Sequence, residues 1–149
     1  MVKLLICLFV IVLGIMADLS TKKMARDKLM PNYPKKVWGR LYLVLVYNKG
    51  AAFGILKRNR KVLMFFSTLA IIVILLVFFY SIIKNLGYDY LIPLSFVIAG
   101  ALSNYYERMF KGRVTDFIFI KIKRFPVFNL ADLYIFVGGI FAYANSGLI

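Results

Sequence analysis

Residues 62–83 run for 22 positions without a charged side chain. As an α-helix that stretch is about 33 Å long, enough to cross the hydrocarbon core of a bilayer. Lipid offers no partner for backbone N–H and C=O groups, so the segment must satisfy them internally, as a helix does. Three more apolar stretches follow the same logic, giving four expected spans at about 2–21, 62–83, 90–107 and 130–148. The first continues past Asp18. A cleavable signal peptide competes for it, because Lys3 precedes a short apolar core, but no small-x-small cleavage site stands near Ala17 and no lipobox cysteine follows. The third carries Pro93 and the small residues Ala99-Gly100-Ala101, which let helices approach closely. The fourth has Asp132 near its start and Gly138-Gly139 inside.

The expected fold is therefore a membrane α-helical domain of four transmembrane helices, one domain over residues 1–149. With 62% hydrophobic residues, the chain is too apolar for a soluble domain. Its net charge of +14 could suit nucleic acid, but a polytopic apolar chain argues against that partner and favours anionic lipid headgroups. Two connections interrupt the helices. In the first, residues 41–47 are branched and aromatic and read as a strand. In the second, residues 114–122 read as another, stopped by Pro126. Two spans separate these connections, so both lie on one side of the membrane and can form a small sheet there.

Only six residues are acidic, and four of them, Asp18, Glu107, Asp116 and Asp132, lie in or beside apolar sequence. Ionisable groups near lipid are costly and usually have a partner or a task. There is no histidine, and Cys7 is the single cysteine, so no internal disulfide is possible. Acid and base for any hydrolysis must then come from carboxylates. Asp116 and Asp132 stand sixteen residues apart, and a strand returning toward the fourth helix could bring them face to face. Two carboxylates that close share a proton, one acting as acid and the other as base. That is aspartyl proteolysis, without metal or cofactor. A structural reading stands beside it. Asn129 could cap a helix with Asp132 favoured by the helix dipole, and Asp116 could pair with Arg108 or Arg113.

Five blocks in order carry a resemblance. They are Asp18-Leu19-Ser20-Thr21-Lys22; Asn48-Lys49-Gly50-Ala51-Ala52-Phe53-Gly54; Gly100-Ala101-Leu102-Ser103-Asn104-Tyr105-Tyr106-Glu107-Arg108; Val114-Thr115-Asp116-Phe117; and Phe128-Asn129-Leu130-Ala131-Asp132. With them the chain resembles the lipoprotein signal peptidases, or signal peptidase II. The resemblance implies that Asp116 and Asp132 are a catalytic dyad in a four-helix membrane enzyme with a small extracytoplasmic sheet. It implies cleavage of diacylglyceryl-modified prolipoproteins just before the lipidated cysteine, in a bacterial cytoplasmic membrane, with no cofactor and no metal. Asn104, Arg108 and Asn129 match polar positions beside the dyad. Arg108 suits a substrate carbonyl or a carboxylate, or it snorkels from a helix end. Asn104 and Asn129 orient peptide or carboxylate, or serve as polar glue between helices. Asn48 and Gly50 form either a substrate-contacting loop or ordinary turn chemistry. Asp18 and Lys22, four apart, are expected to form an ion pair that braces the inner wall.

The departures are Glu107 where aspartate is usual, which could reposition a salt bridge with Arg108 or a neighbour; Ser103 where glycine is common, which could loosen helix packing; and Thr115 in place of a frequent valine. No basic tail follows the fourth span.

Charge and resemblance disagree on orientation. Eighteen of the 20 Lys and Arg residues lie in the two connections that carry the expected strands, including Lys57, Arg58, Arg60 and Lys61 just before the second span. The positive-inside rule would keep these in the cytoplasm. The resemblance requires them outside, with both termini cytoplasmic and the site near the outer face, and that orientation is adopted here. A monomer is expected. The competing functions are a paralogue that binds lipidated precursors without cutting them, and a small proton-coupled transporter subunit, which would want its aspartates at the bilayer midplane.

Overall fold

In the computed structural model, residues 1–50 and 59–146 are described. The Ala51-to-Gly54 part of the second block, Lys57, Arg58 and the last residues of the expected fourth span lie outside them. The chain order is α1 (Val2–Lys28), β1 (Lys35–Trp38), β2 (Leu41–Asn48), α2 (Arg60–Ile83), α3 (Tyr88–Lys111), β3 (Val114–Ile120) and α4 (Leu130–Ala144). Two helices, α1 and α2, are long and apolar enough to cross a membrane, and α4 is a shorter apolar helix.

The first helix runs seven residues beyond its expected end. Its buried positions Cys7, Ile11, Gly14, Asp18, Lys22 and Ala25 recur every three or four residues, a single stripe down one face. Helix formers such as Lys23, Ala25 and Arg26 carry it onward, and its later turns meet the other elements through Lys22 and Arg26 as well as the buried Ala25. The third helix is central and touches α1, α2, α4 and β3. It ends at Gly112, whose φ of 68° is left-handed and whose N–H donates to the Arg108 carbonyl at 3.1 Å. Asn59 caps α2 by accepting from the Val62 N–H at 3.2 Å. Much of α2 faces outward with bare apolar side chains, among them Phe65, Leu69, Leu76 and Ile83. Such a surface suits lipid and is large for water.

Small residues set the helix spacing. A Cβ on Gly14 would lie 2.8 Å from Ala99 Cβ, and one on Gly138 would lie 2.7 Å from the Pro93 carbonyl oxygen. A Cβ on Gly100 would collide with the Ala131 carbonyl and with Ile135. This last contact lies one residue from Asp132.

The sheet is antiparallel in the order β1-β2-β3. Both expected strands form, and β1 adds a third that sequence reading did not identify. All four of its residues are exposed, so it lacks the alternation that marks a half-buried strand. β3 stops at Ile120, two residues short of expectation, and the chain turns back so that Phe128 exchanges backbone hydrogen bonds with Ile118 at 2.8 and 2.9 Å. That return lays the head of α4 beside β3. Gly100→Ala should force α3 and α4 apart and cost about 1–3 kcal/mol; a lowered thermal midpoint in detergent, with Gly139→Ala as the unhindered control, checks this.

Candidate active site

Asp116 faces Val46 across the β2–β3 ladder and is buried. Asp132 occupies the first turn of α4, which Asn129 caps. The Asn129 side chain accepts from the Asp132 N–H at 2.9 Å, while Asp132 Oδ2 accepts from the Asn129 N–H at 3.2 Å. This is a reciprocal capping box, so the structural reading of these residues holds. It does not exhaust them. Asn129 Nδ2 also donates to Asp116 Oδ1 at 2.7 Å, so one asparagine touches both carboxylates. Asn104 Nδ2 donates to Asp132 Oδ1 at 2.8 Å.

Both aspartates line one cavity of about 270 Å³. Asn48 and Arg108 share its wall with apolar Val114, Phe128 and Phe136. A second cavity, of about 370 Å³, opens between α2, α3 and α4 and shares Arg108, Asp132 and Ile135 with the first. Asp132 thus stands where two open spaces meet. Asn48 Oδ1 accepts from the Gly50 N–H at 2.9 Å, an Asx-type turn. Arg108 Nη2 donates to the Gly50 carbonyl at 3.2 Å, and its buried Nε has no partner among the described residues. Buried donors are rarely left unspent, so a free one beside a cavity is suited to an incoming acceptor.

Burial pushes the Asp116 carboxyl up to about 7, with the negative charge of Asp132 adding to the effect. Hydrogen bonds from Asn129 and Asn48 and the charge of Lys22 act in the opposite direction without cancelling it. Asp116 therefore keeps its proton near neutral pH.

Behind the dyad lies a fully buried charge cluster. Lys22 Nζ sits 2.6 Å from Asp18 Oδ2, and Asp18 also accepts from the Ala131 N–H at 2.8 Å and from Ser103 Oγ at 2.5 Å. The expected Asp18–Lys22 pair is present, and it is tied to α4 as well. Ser103, which stands where glycine is common, is fully buried, and its hydroxyl joins α3 to α1.

Glu107 makes no pair with Arg108 among the described residues. It accepts instead from Arg26 at 2.8 Å, from Lys111 at 2.7 Å and from the Thr115 N–H at 2.7 Å. Its reach past the α3 backbone takes it to β3, one residue before Asp116. Arg26 and Lys111 were not singled out from the sequence, and Thr115 was noted only as standing where valine is frequent. The four-residue spacings Lys22 to Arg26 and Glu107 to Lys111 were the available signal. Arg113 stacks over the Tyr47 ring at 3.7 Å, and no ion pair joins it to Asp116 among the described residues.

Between pH about 4 and about 7 the folded protein holds a proton on Asp116 that an unfolded chain would release. Stability from this group therefore falls as pH rises through that window. Asp116→Asn keeps the hydrogen bonds and removes the charge. It should raise the Tm at pH 8 by about 3 °C or more and leave it nearly unchanged at pH 4, as followed by thermal unfolding in detergent.

Residues 10–147 match the family model described as "Signal peptidase (SPase) II". The chain is 39% identical over 123 residues to a "Lipoprotein signal peptidase" of Caldicellulosiruptor bescii, covering 83% of this chain and 77% of that one. It is 33% identical over 152 residues to the protein of the same name in Buchnera aphidicola subsp. Baizongia pistaciae, with 97% and 92% covered. It is 36% identical over 141 residues to that of Francisella tularensis subsp. novicida, with 91% and 87% covered. A solved structure described as a bacterial membrane enzyme superposes with a TM-score of 0.79 at 31% identity, covering 93% of this chain and 85% of the other. A second of the same description gives 0.79 at 29% identity, with 95% and 92% covered.

Proposed function

This chain belongs to the signal peptidase II family, and from that premise we propose that Asp116 and Asp132 are the catalytic dyad with which it cuts signal peptides from lipoproteins. It is a protease of a bacterial membrane. The observation that carries the reading is that two carboxyl groups held by one asparagine line a single cavity.

The chemistry follows from the two environments. Asp116, its carboxyl pushed up to about 7, is the member of the pair that keeps a proton up to neutral pH. Asp132 sits at a helix N-terminus and accepts N–H donors from Asn104 and Asn129, which suits the ionised form. Asp132 takes a proton from water as the water oxygen attacks the scissile carbonyl carbon, and Asp116 gives its proton to the carbonyl oxygen. When the tetrahedral species collapses, the carbon–nitrogen bond breaks. The leaving nitrogen takes the proton from Asp132, and a hydroxyl of the tetrahedral species returns one to Asp116. A carboxylic acid and a free amine leave, and the dyad is restored.

Around this centre, Arg108 Nε holds a backbone carbonyl of the substrate, and Asn48 and Gly50 bound the cavity. The substrate is a precursor bearing a diacylglyceryl group on the cysteine after the cut, its acyl chains in the bilayer against the outer helix faces. All four helices cross the membrane as one domain, with both termini cytoplasmic and the sheet outside. The basic residues around the sheet meet anionic headgroups, and the protein acts as a monomer. A transporter or a non-cleaving paralogue finds no supporting observation.

Purified protein in detergent should cleave a diacylglyceryl-modified precursor and spare the unlipidated one. Asp116→Asn and Asp132→Asn should each lower kcat by about 10²-fold or more; binding of the lipidated precursor without any cleavage by the unsubstituted chain would overturn the assignment. The rate should decline as pH rises through about 7, where Asp116 loses its proton. Orientation has its own check in a reporter fused after Ile149, which should be active only in its cytoplasmic form.

A further inference from the structure

Lys22 makes one contact that its ion pair with Asp18 does not require. Its ammonium is fully buried on α1 and meets Asp18 at 2.6 Å, which by itself satisfies an ion pair. It also donates to Asn104 Oδ1 on α3 at 2.8 Å, with Glu107 farther off at 3.9 Å. A lysine offers only donors, so the amide edge facing it must be the oxygen. The amide nitrogen of Asn104 is then turned to Asp132 Oδ1, where it donates at 2.8 Å.

We infer that Lys22 is a positioning residue for the reaction: by fixing the Asn104 amide it presents an N–H to Asp132 and keeps that carboxylate the base of the pair. The inference rests on the dyad reading given above. Asn129 needs no such help, because its oxygen is already fixed by the Asp132 N–H at 2.9 Å. Asn104 has only a longer second donor, Asn129 Nδ2 at 3.2 Å, and that amide also serves Asp116. Without the ammonium, a half-turn of the Asn104 amide would set its oxygen against Asp132. Two acceptors can face one another there only if Asp132 takes up a proton, and a protonated Asp132 cannot activate water.

The charge of Lys22 acts in the same direction. The groups facing Asp116 are Asp132 on α4, Lys22 on α1, Arg108 on α3 and the amides of Asn48 and Asn129. Lys22 and Arg108 are the cations among them, so loss of Lys22 favours protonation of the pair.

The test is the pH profile of lipidated-precursor cleavage for Lys22→Met, for Asp18→Asn, and for the double variant Asp18→Asn with Lys22→Met. The double variant leaves no uncompensated Asp18 charge, so it carries the test if the single Lys22 variant folds poorly. Both Lys22 variants should lose on the order of tenfold or more in kcat, with KM within about twofold. Both should show the profile displaced to higher pH by about half a unit or more. Asp18→Asn, which keeps the ammonium on Asn104 and removes its counter-charge, should show no displacement to higher pH. Profiles that superimpose after uniform scaling would overturn the inference. So would loss of precursor binding in both Lys22 variants, which marks a purely structural role. If the unsubstituted chain itself never cuts, the dyad reading falls and takes this one with it.

Discussion

Charge buried among apolar helices must be answered by other buried groups, and the rest of this structure follows from that demand. Asp18, Lys22 and Glu107 are all inaccessible to solvent. No water is at hand to stabilise them, so each is met by several partners drawn from different elements. Asp18 joins α1 to α3 and to the head of α4. Glu107 joins α3 to α1 and to β3. A network of this kind has few alternative arrangements, because breaking one contact strands a charge. It holds three helices and a strand in a fixed relation at the level where the two aspartates stand.

The dyad inherits its geometry from that network. Asp116 comes from a strand and Asp132 from a helix, elements whose separation would otherwise depend on a nine-residue loop, 121–129. The backbone exchange between Phe128 and Ile118 shortens that path, and Asn129 closes it by touching both carboxylates. The same asparagine caps α4, so a helix-stabilising motif and the link between the two aspartates share their atoms. The amide donors also explain how two acidic groups can be so near one another. Each is held by N–H groups, and one of them retains its proton.

Much of this was legible in the residues. The apolar runs located the four helices, and branched and aromatic stretches located β2 and β3, because these signals are local and periodic. The chain without histidine directed attention to its few carboxylates, and the Asp116–Asp132 pair emerged from that. What could not be read was set by partners distant in sequence. The α1 extension beyond residue 21 is met by Asn104 and Glu107 on α3 and by the Thr115 hydroxyl on β3, partners that local hydropathy does not register. Glu107 was expected to pair with Arg108 or a neighbour; adjacent helix residues point in different directions, and its partners lie four residues away or on other elements. β1 escaped because an edge strand exposed on all sides has no pattern to betray it.

That edge strand has a further consequence. A three-stranded sheet ends in a row of unpaired backbone groups, which invites a fourth strand from any passing chain. Here the edge carries Lys35 and Lys36, and the pairing slips between Lys36 and Trp38. Like charges and a broken register are poor templates for edge-to-edge pairing. The sheet is thereby closed to unwanted neighbours without a covering helix. Copies crowded side by side can then meet at this edge without zipping into an aggregate.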